Sequence, residues 1–192
     1  MQVVSVNVGE PRETEWRGEI RRSGIWKRPV EGRVFLRTLH LDGDGQANLR
    51  VHGGVSRAAY LYPAEHYEAW RRDLPEVEFP FGVFGENLTV TGLREDEVRI
   101  GDRLRIGEAE VWVAQPRHPC GNLAMRFDRD DMIARFRESR RLGFYLGVLR
   151  EGTIGAGDRV EFIHRAEQSF TILEISDLYL SPHPDPREAR RA

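Results

Sequence analysis

The chain has 192 residues, one cysteine, and 29 Lys+Arg against 31 Asp+Glu, a formal charge of −2. That length fits one domain able to bury a sizeable core, and a single cysteine excludes an intrachain disulfide and any four-cysteine zinc or iron–sulfur site. The charge balance offers no field for nucleic acid or an anionic membrane, and no apolar run approaches the ~18 residues of a membrane span. The N-terminus carries no basic leader, so the expectation is a soluble, cytoplasmic protein with no membrane and no specific nucleic-acid partner.

In chain order, "VVSVNV" alternates in part and predicts a strand with Val4, Val6 and Val8 on one face. "RVFLRTLHL" predicts a second strand, closed by the turn Asp42-Gly43-Asp44-Gly45. "AAYLY" and "NLTV" follow, with "PAEHYEAWRRDL" between them as a helix opening on Pro63. "DRLRIGEAEVWVAQ" reads as two strands joined by a tight "GE" turn. "DRDDMIARFRESRR" predicts a helix burying Met132, Ile133 and Phe136, and "GFYLGVL" and "DRVEFI" supply two more strands. "FTILEISDLYL" reads as a strand or, preferably, a short helix, and "SPHPDPREARRA" as a frayed tail. Seven or eight short strands with two or three helices predict a mainly β, barrel-like fold, without the alternating units of a dinucleotide fold.

Four stretches could carry chemistry. "QPRHPCGNL" holds Cys120 beside Arg117 and His118, between Pro116 and Pro119. A lone cysteine is commonly a small buried apolar residue, but a guanidinium neighbour favours thiolate, the form that attacks electrophiles or ligates a soft metal. "HGG" sets His52 against Gly53 and Gly54, which tolerate close approach of a ligand, with Arg57 nearby; the plain alternative is a glycine turn. "FGENLTV" offers Glu86 as proton acceptor and Asn87 as amide donor just before a strand, or simply an Asx-type turn. "RRSGIWKRPV" gathers Arg21, Arg22, Lys27 and Arg28 around a glycine, either as a phosphate loop or as solvated surface.

Taken in order, "SGIWKRPV", "GDGQANLRVHGGVSRAAYLYPAEHYEAW", "FGENLTVTGL", "IGDRLRIGEAEVWVAQPRHPCGNL" and "GFYLGVLREGTIGAGDRVEF" resemble the MOSC domain, specifically its YiiM-like group. The resemblance implies a β-barrel-like domain over residues 1–165 with a short extension, 166–192, where the group typically continues into a helical domain. It implies a molybdenum cofactor (molybdopterin with Mo), with Cys120 supplying a protein sulfur to the molybdenum, and pyridoxal phosphate binding at the level of the family. It implies cofactor contacts from Lys27, Arg28, Asp44, His52, Gly53, Gly54, Arg57, Asn87 and Arg117. The implied activity is reduction of N-hydroxylated compounds (hydroxylaminopurine bases, amidoximes, hydroxamates), detoxifying base analogues, with Arg117 beside the metal ligand and His52, His118 and Glu86 as competing proton donors. A lone cysteine cannot hold a [2Fe–2S] cluster, so electrons would come from an external flavoprotein or other donor. A homodimer is compatible with this reading.

Two other readings stand beside it. The chain could carry the cofactor, or a persulfide on Cys120, without redox turnover. It could instead be a cysteine hydrolase or a zinc site built from Cys120, His52 and His118, although no metal-ligand spacing such as HExxH supports that.

Overall fold

The computed structural model describes residues 1–48 and 53–180. Twelve strands are present among them: β1 (Gln2–Val8), β2 (Arg12–Trp16), β3 (Glu19–Ser23), β4 (Arg28–Pro29), β5 (Arg33–Leu36), β6 (Ala59–Pro63), β7 (Leu88–Thr91), β8 (Arg103–Ile106), β9 (Ala109–Pro116), β10 (Phe144–Arg150), β11 (Gly152–Gly155) and β12 (Val160–His164). Four helices accompany them: α1 (Glu65–Asp73), α2 (Gly121–Phe127), α3 (Met132–Ser139) and α4 (Ile172–Leu180). No described helix is long and apolar enough to cross a membrane.

Eight strands form one sheet in the order β12-β8-β9-β10-β6-β7-β1-β4, antiparallel except at β6–β7. The fold is mainly β as expected, but the sheet is not closed into a barrel. It curls far enough for the start of β1 to reach the approach to β12: the Val3 amide donates to the Asp158 carbonyl at 2.9 Å, and the Gly157 amide to that of Val3 at 2.8 Å. β5 pairs with β11, and β2 with β3, as separate ribbons. β2, β3, β4 and β11 raise the strand count above the seven or eight expected.

The inner face of the curled sheet carries the apolar core, including Val3, Val6, Leu61, Leu104, Val111 and Leu146. The expected face of Val4, Val6 and Val8 is broken by a register shift between Val3 and Ser5, which turns Val3 inward with Val6 and leaves Val4 and Val8 half-buried. Such a bulge moves every side chain beyond it to the other face. β6 is buried on both sides. Ala59 and Leu61 join the sheet core, while Tyr60 and Tyr62 enter an aromatic layer with Tyr67, Trp70, Phe84 and Phe136 beneath the helices. Tyr62 and Phe84 lie 4.6 Å apart by ring centroids, and Trp70 stacks on Phe136 at 6.0 Å.

The helices start where local chemistry lets them. Pro63 stays in β6, opposite Val90, so α1 begins at Glu65 rather than on the proline. At α4, the Thr171 hydroxyl accepts the Glu174 amide at 3.1 Å, and the Glu174 carboxylate accepts the Thr171 amide at 2.7 Å. This reciprocal cap decides for helix over strand. Ile172 joins the sheet core, and its amide donates to the Val98 carbonyl at 2.8 Å. Residues 181–192, expected as a tail, lie outside the described residues.

Gly143 shows how closely β6 and β10 approach. It has φ +64°, and a Cβ there would overlap the Leu61 carbonyl oxygen and press on the Tyr60 and Tyr62 rings at 2.8 and 2.9 Å. Its carbonyl also accepts the Arg117 amide at 3.2 Å. Gly143→Ala is expected to cost on the order of 2–4 kcal/mol from left-handed strain plus overpacking, measured by urea denaturation.

Candidate functional site

A cleft of about 100 Å³ opens where β6, β9 and β10 meet the segment after β3 and the start of α2. β9 ends at Pro116, which directs Arg117, His118 and Cys120 along its rim. Cys120 is half-buried, has extended backbone, and accepts the Leu123 amide at 2.9 Å as α2 begins.

Arg117 is 5 % exposed, with its guanidinium between Tyr60 (5.3 Å) and Phe136 (5.0 Å). Its Nη1 is buried and lacks a hydrogen-bond partner among the described residues. Burial works against that charge, but Tyr60, Tyr145 and Cys120 outweigh it and hold the group above arginine's usual value. His118 is held below the usual histidine range by burial first, then by Arg137, Arg117 and Arg57. The His118 ring also meets Tyr179 of α4 edge-on at 4.9 Å.

The opposite wall is a buried polar clasp. The Lys27 ammonium pairs with Asp44 Oδ1, both groups being buried. Asp44 Oδ1 also accepts the Gly9 amide at 3.0 Å, and Oδ2 accepts Asn87 Nδ2 at 2.9 Å. Asn87 Nδ2 donates further to the Asn7 carbonyl at 3.2 Å, while its Oδ1 accepts the Tyr60 amide at 3.0 Å. Asn87 therefore ties β1 to β6 and the Asp44 turn, and acts chiefly by positioning. Lys27 borders the cleft and keeps donor capacity beyond its one carboxylate.

The structure thus gathers Cys120, Arg117, His118, Lys27, Asp44, Arg57 and Asn87 around one cavity. Glu86 is not part of it. That carboxylate is fully buried and accepts from Tyr67, Thr89 and the amides of Gly82 and Phe84, a structural role in the turn before β7. Burial raises its pKa. Arg28 is exposed at the start of β4, and Gly53 and Gly54 precede the 3₁₀ turn Val55–Arg57; none of the three borders the cavity. His52 lies outside the described residues. Among the described residues no three His, Cys, Asp or Glu side chains are gathered for a metal, so the zinc reading gains no support there. Tyr60, Tyr145 and Asn122 also border the cleft. The tyrosines were legible as strand residues, but not as the ones that meet across β6 and β10.

These features define a β-rich domain with a thiol-bearing, cationic cleft. The family model of the MOSC domain matches residues 48–161. The chain is 42 % identical over 170 residues to the uncharacterized protein YflK of Bacillus subtilis, covering 88 % of this chain and 76 % of that one. It is 40 % identical over 149 residues to the protein YiiM of Escherichia coli, covering 77 % of this chain and 66 % of that one. The crystal structure of YiiM from Escherichia coli superposes with a TM-score of 0.78 at 30 % identity, covering 100 % of this chain and 83 % of the other. A protein named reductase from Gibberella moniliformis is 32 % identical over 90 % of this chain, which spans only 31 % of it. The chain belongs to the MOSC domain family, a family associated with the molybdenum cofactor.

Asp44→Ala would leave the Lys27 ammonium buried without its carboxylate and is expected to cost about 3–5 kcal/mol. Lys27→Met combined with Asp44→Ala should recover part of that loss in a chemical-denaturation cycle.

Because the folded pKa of His118 is depressed below 6.5, the unfolded chain binds the proton that the folded chain refuses. Stability from this source is present above pH 6.5 and is lost as the pH falls through that value. His118→Gln should flatten the denaturation midpoint between about pH 5 and 6.5, where wild type declines.

Proposed function

We propose that this chain binds a molybdenum cofactor in the cleft and reduces N-hydroxylated compounds of the hydroxylaminopurine, amidoxime or hydroxamate type. The observation that carries the reading is the co-location of the only thiol with the buried guanidinium of Arg117 and the ammonium of Lys27 around one cavity. The donor set suits the group: Cys120 sulfur is a soft ligand for molybdenum, and Lys27 and Arg57 match the phosphate end of a pterin. Pyridoxal phosphate fits less well, since it needs a lysine amine and the Lys27 ammonium is held by Asp44.

When bound, the cofactor supplies the two electrons that, with two protons, convert N–OH to N–H and release water. The protein's own groups do the rest. Tyr60 and Tyr145, packed on each other at 5.4 Å between ring centroids, border the cavity and give a flat amidine or purine an aromatic wall. Arg117 sets a fixed positive charge beside the cavity, and its stacking on Tyr60 and Phe136 holds that charge in place. His118, neutral near pH 7, takes a proton from solvent at a ring nitrogen and returns it more readily than an ordinary imidazolium would. A single cysteine cannot bind a [2Fe–2S] cluster, so the electrons come from a separate flavoprotein or other carrier.

Protein purified from a cofactor-competent host is expected to hold molybdenum and pterin together and to reduce benzamidoxime with a chemical electron donor. Cys120→Ala should lose the metal and lower turnover by at least about 10²-fold. Absence of both metal and pterin, with reduction unchanged in Cys120→Ala, would overturn the reading. A persulfide on Cys120 seen by mass spectrometry, without turnover, would assign a carrier role instead.

A further inference from the structure

The side chains that charge the cleft, Lys27, Arg57 and Arg117, are hydrogen-bond donors only. The Asp44 carboxylate is already taken by Lys27, Gly9 and Asn87, and Asn87 Oδ1 by the Tyr60 amide. Gln46 also borders the cavity, two residues after Asp44. Its Nε2 donates to the Arg57 carbonyl at 3.0 Å. A carbonyl oxygen only accepts, so this bond settles which end of the carboxamide is nitrogen and which is oxygen. Gln46 Oε1 takes no hydrogen bond among the described residues and, unlike Arg117 Nη1, is not sealed from solvent.

The backbone holds Gln46 in place. The Asp44 amide donates to the Leu41 carbonyl at 3.1 Å, and the Gly45 amide to the Gly9 carbonyl at 3.2 Å. The Gly45 carbonyl packs so closely on Gly24 that a Cβ there would overlap its oxygen. Asn122 borders the cavity too, but no hydrogen bond among the described residues orients its amide. Gln46 therefore sets a directed, neutral acceptor among cations.

We propose that Gln46 is a specificity-determining residue, whose Oε1 accepts the amino N–H of an amidoxime and so favours amidoximes over hydroxamates. The proposal rests on the reduction of N-hydroxylated compounds argued above. With the N–OH group at the reacting centre, an amidoxime carries an amino group where a hydroxamate carries a carbonyl oxygen. The first gives Oε1 a hydrogen, whereas the second sets two acceptors against each other. A site built to hydrogen-bond one group discriminates against its replacement. The neutrality of Gln46 matters as well. An amidoxime is neutral near pH 7, and the amidine it yields is a cation. A neutral oxygen holds the first without retaining the second in a cationic cleft.

The test measures dissociation constants of benzamidoxime, benzohydroxamic acid and benzamidine by calorimetry, on protein from a cofactor-competent host, beside turnover of the first two with a chemical electron donor. Gln46→Met keeps the length of the side chain and removes the acceptor. It should weaken benzamidoxime about tenfold, the worth of one hydrogen bond, and leave benzohydroxamic acid within about twofold of wild type. Gln46→Glu keeps an acceptor and adds a charge. It should hold benzamidoxime near its wild-type affinity and bind benzamidine about tenfold more tightly than wild type. A residue that merely shaped the loop would shift all three ligands in the same direction in both variants, and thermal melting checks that each variant folds. Equal weakening of benzamidoxime and benzohydroxamic acid in Gln46→Met, or no change in either, overturns the proposal. Failure of benzamidoxime to bind wild type below about 10 mM overturns it as well. Benzamidoxime that binds without being reduced overturns the reduction reading instead, and the constants in the two variants still decide the part played by Gln46.

Discussion

The buried pairing of Lys27 with Asp44 is the constraint on which the rest of the site depends. Both groups are almost wholly removed from water, and such a pair offsets its desolvation only if the remaining polar atoms are also satisfied. On the carboxylate side they are: Asp44 takes the Gly9 amide and Asn87 Nδ2 as well as the ammonium. Those bonds bring together the exit from β1, the turn after β5 and the entry to β7, three segments far apart in sequence. The clasp therefore does two jobs with one set of atoms. It closes the sheet's polar seam at β1, and it fixes the cationic wall of the cavity opposite Cys120.

The other wall is set by the aromatic layer rather than by charge. Arg117 could not hold a buried guanidinium by packing alone, since burial disfavours it. Tyr60 and Phe136 give it ring faces, and the Gly143 carbonyl takes its backbone amide at 3.2 Å. Glu86 serves the same layer from beneath. Its carboxylate pins the Gly82–Phe84 turn and the Tyr67 hydroxyl, which holds Phe84 against Tyr62. A carboxylate expected among the candidate proton donors is thus a brace for the aromatic layer, away from the cavity.

How much of this could be read beforehand differs by element for physical reasons. The β8–β9 hairpin was legible because alternation and its glycine turn agree. The β2–β3 hairpin was not: its residues are charged on both faces and it has no apolar stripe to reveal it. β11 was hidden because two of its four residues are glycine and its pairing with β5 is long-range. α2 opens on Gly121 and Asn122, poor helix formers, and exists because Leu123, Ala124 and Met125 are buried. At the site, the cysteine and its basic neighbours were legible as chemistry. That Asp44 and Asn87 are partners, and Glu86 is not, depends on contacts across dozens of residues, which no local pattern carries.

The match to the MOSC family begins at residue 48, whereas Lys27 and its neighbours Ser23, Gly24 and Ile25 lie upstream of it and still border the cavity. Part of the cavity wall therefore lies outside the residues that the family model matches, with Asp44 just before them. A cofactor with a soft-ligand end and an anionic end needs both walls at once, at a fixed separation. The sulfur's position follows from the turn after β9 and the start of α2, and the ammonium's from the clasp at β1. Each is anchored to the same curled sheet, the sulfur through β9 and the ammonium through the bond of Asp44 to Gly9 after β1.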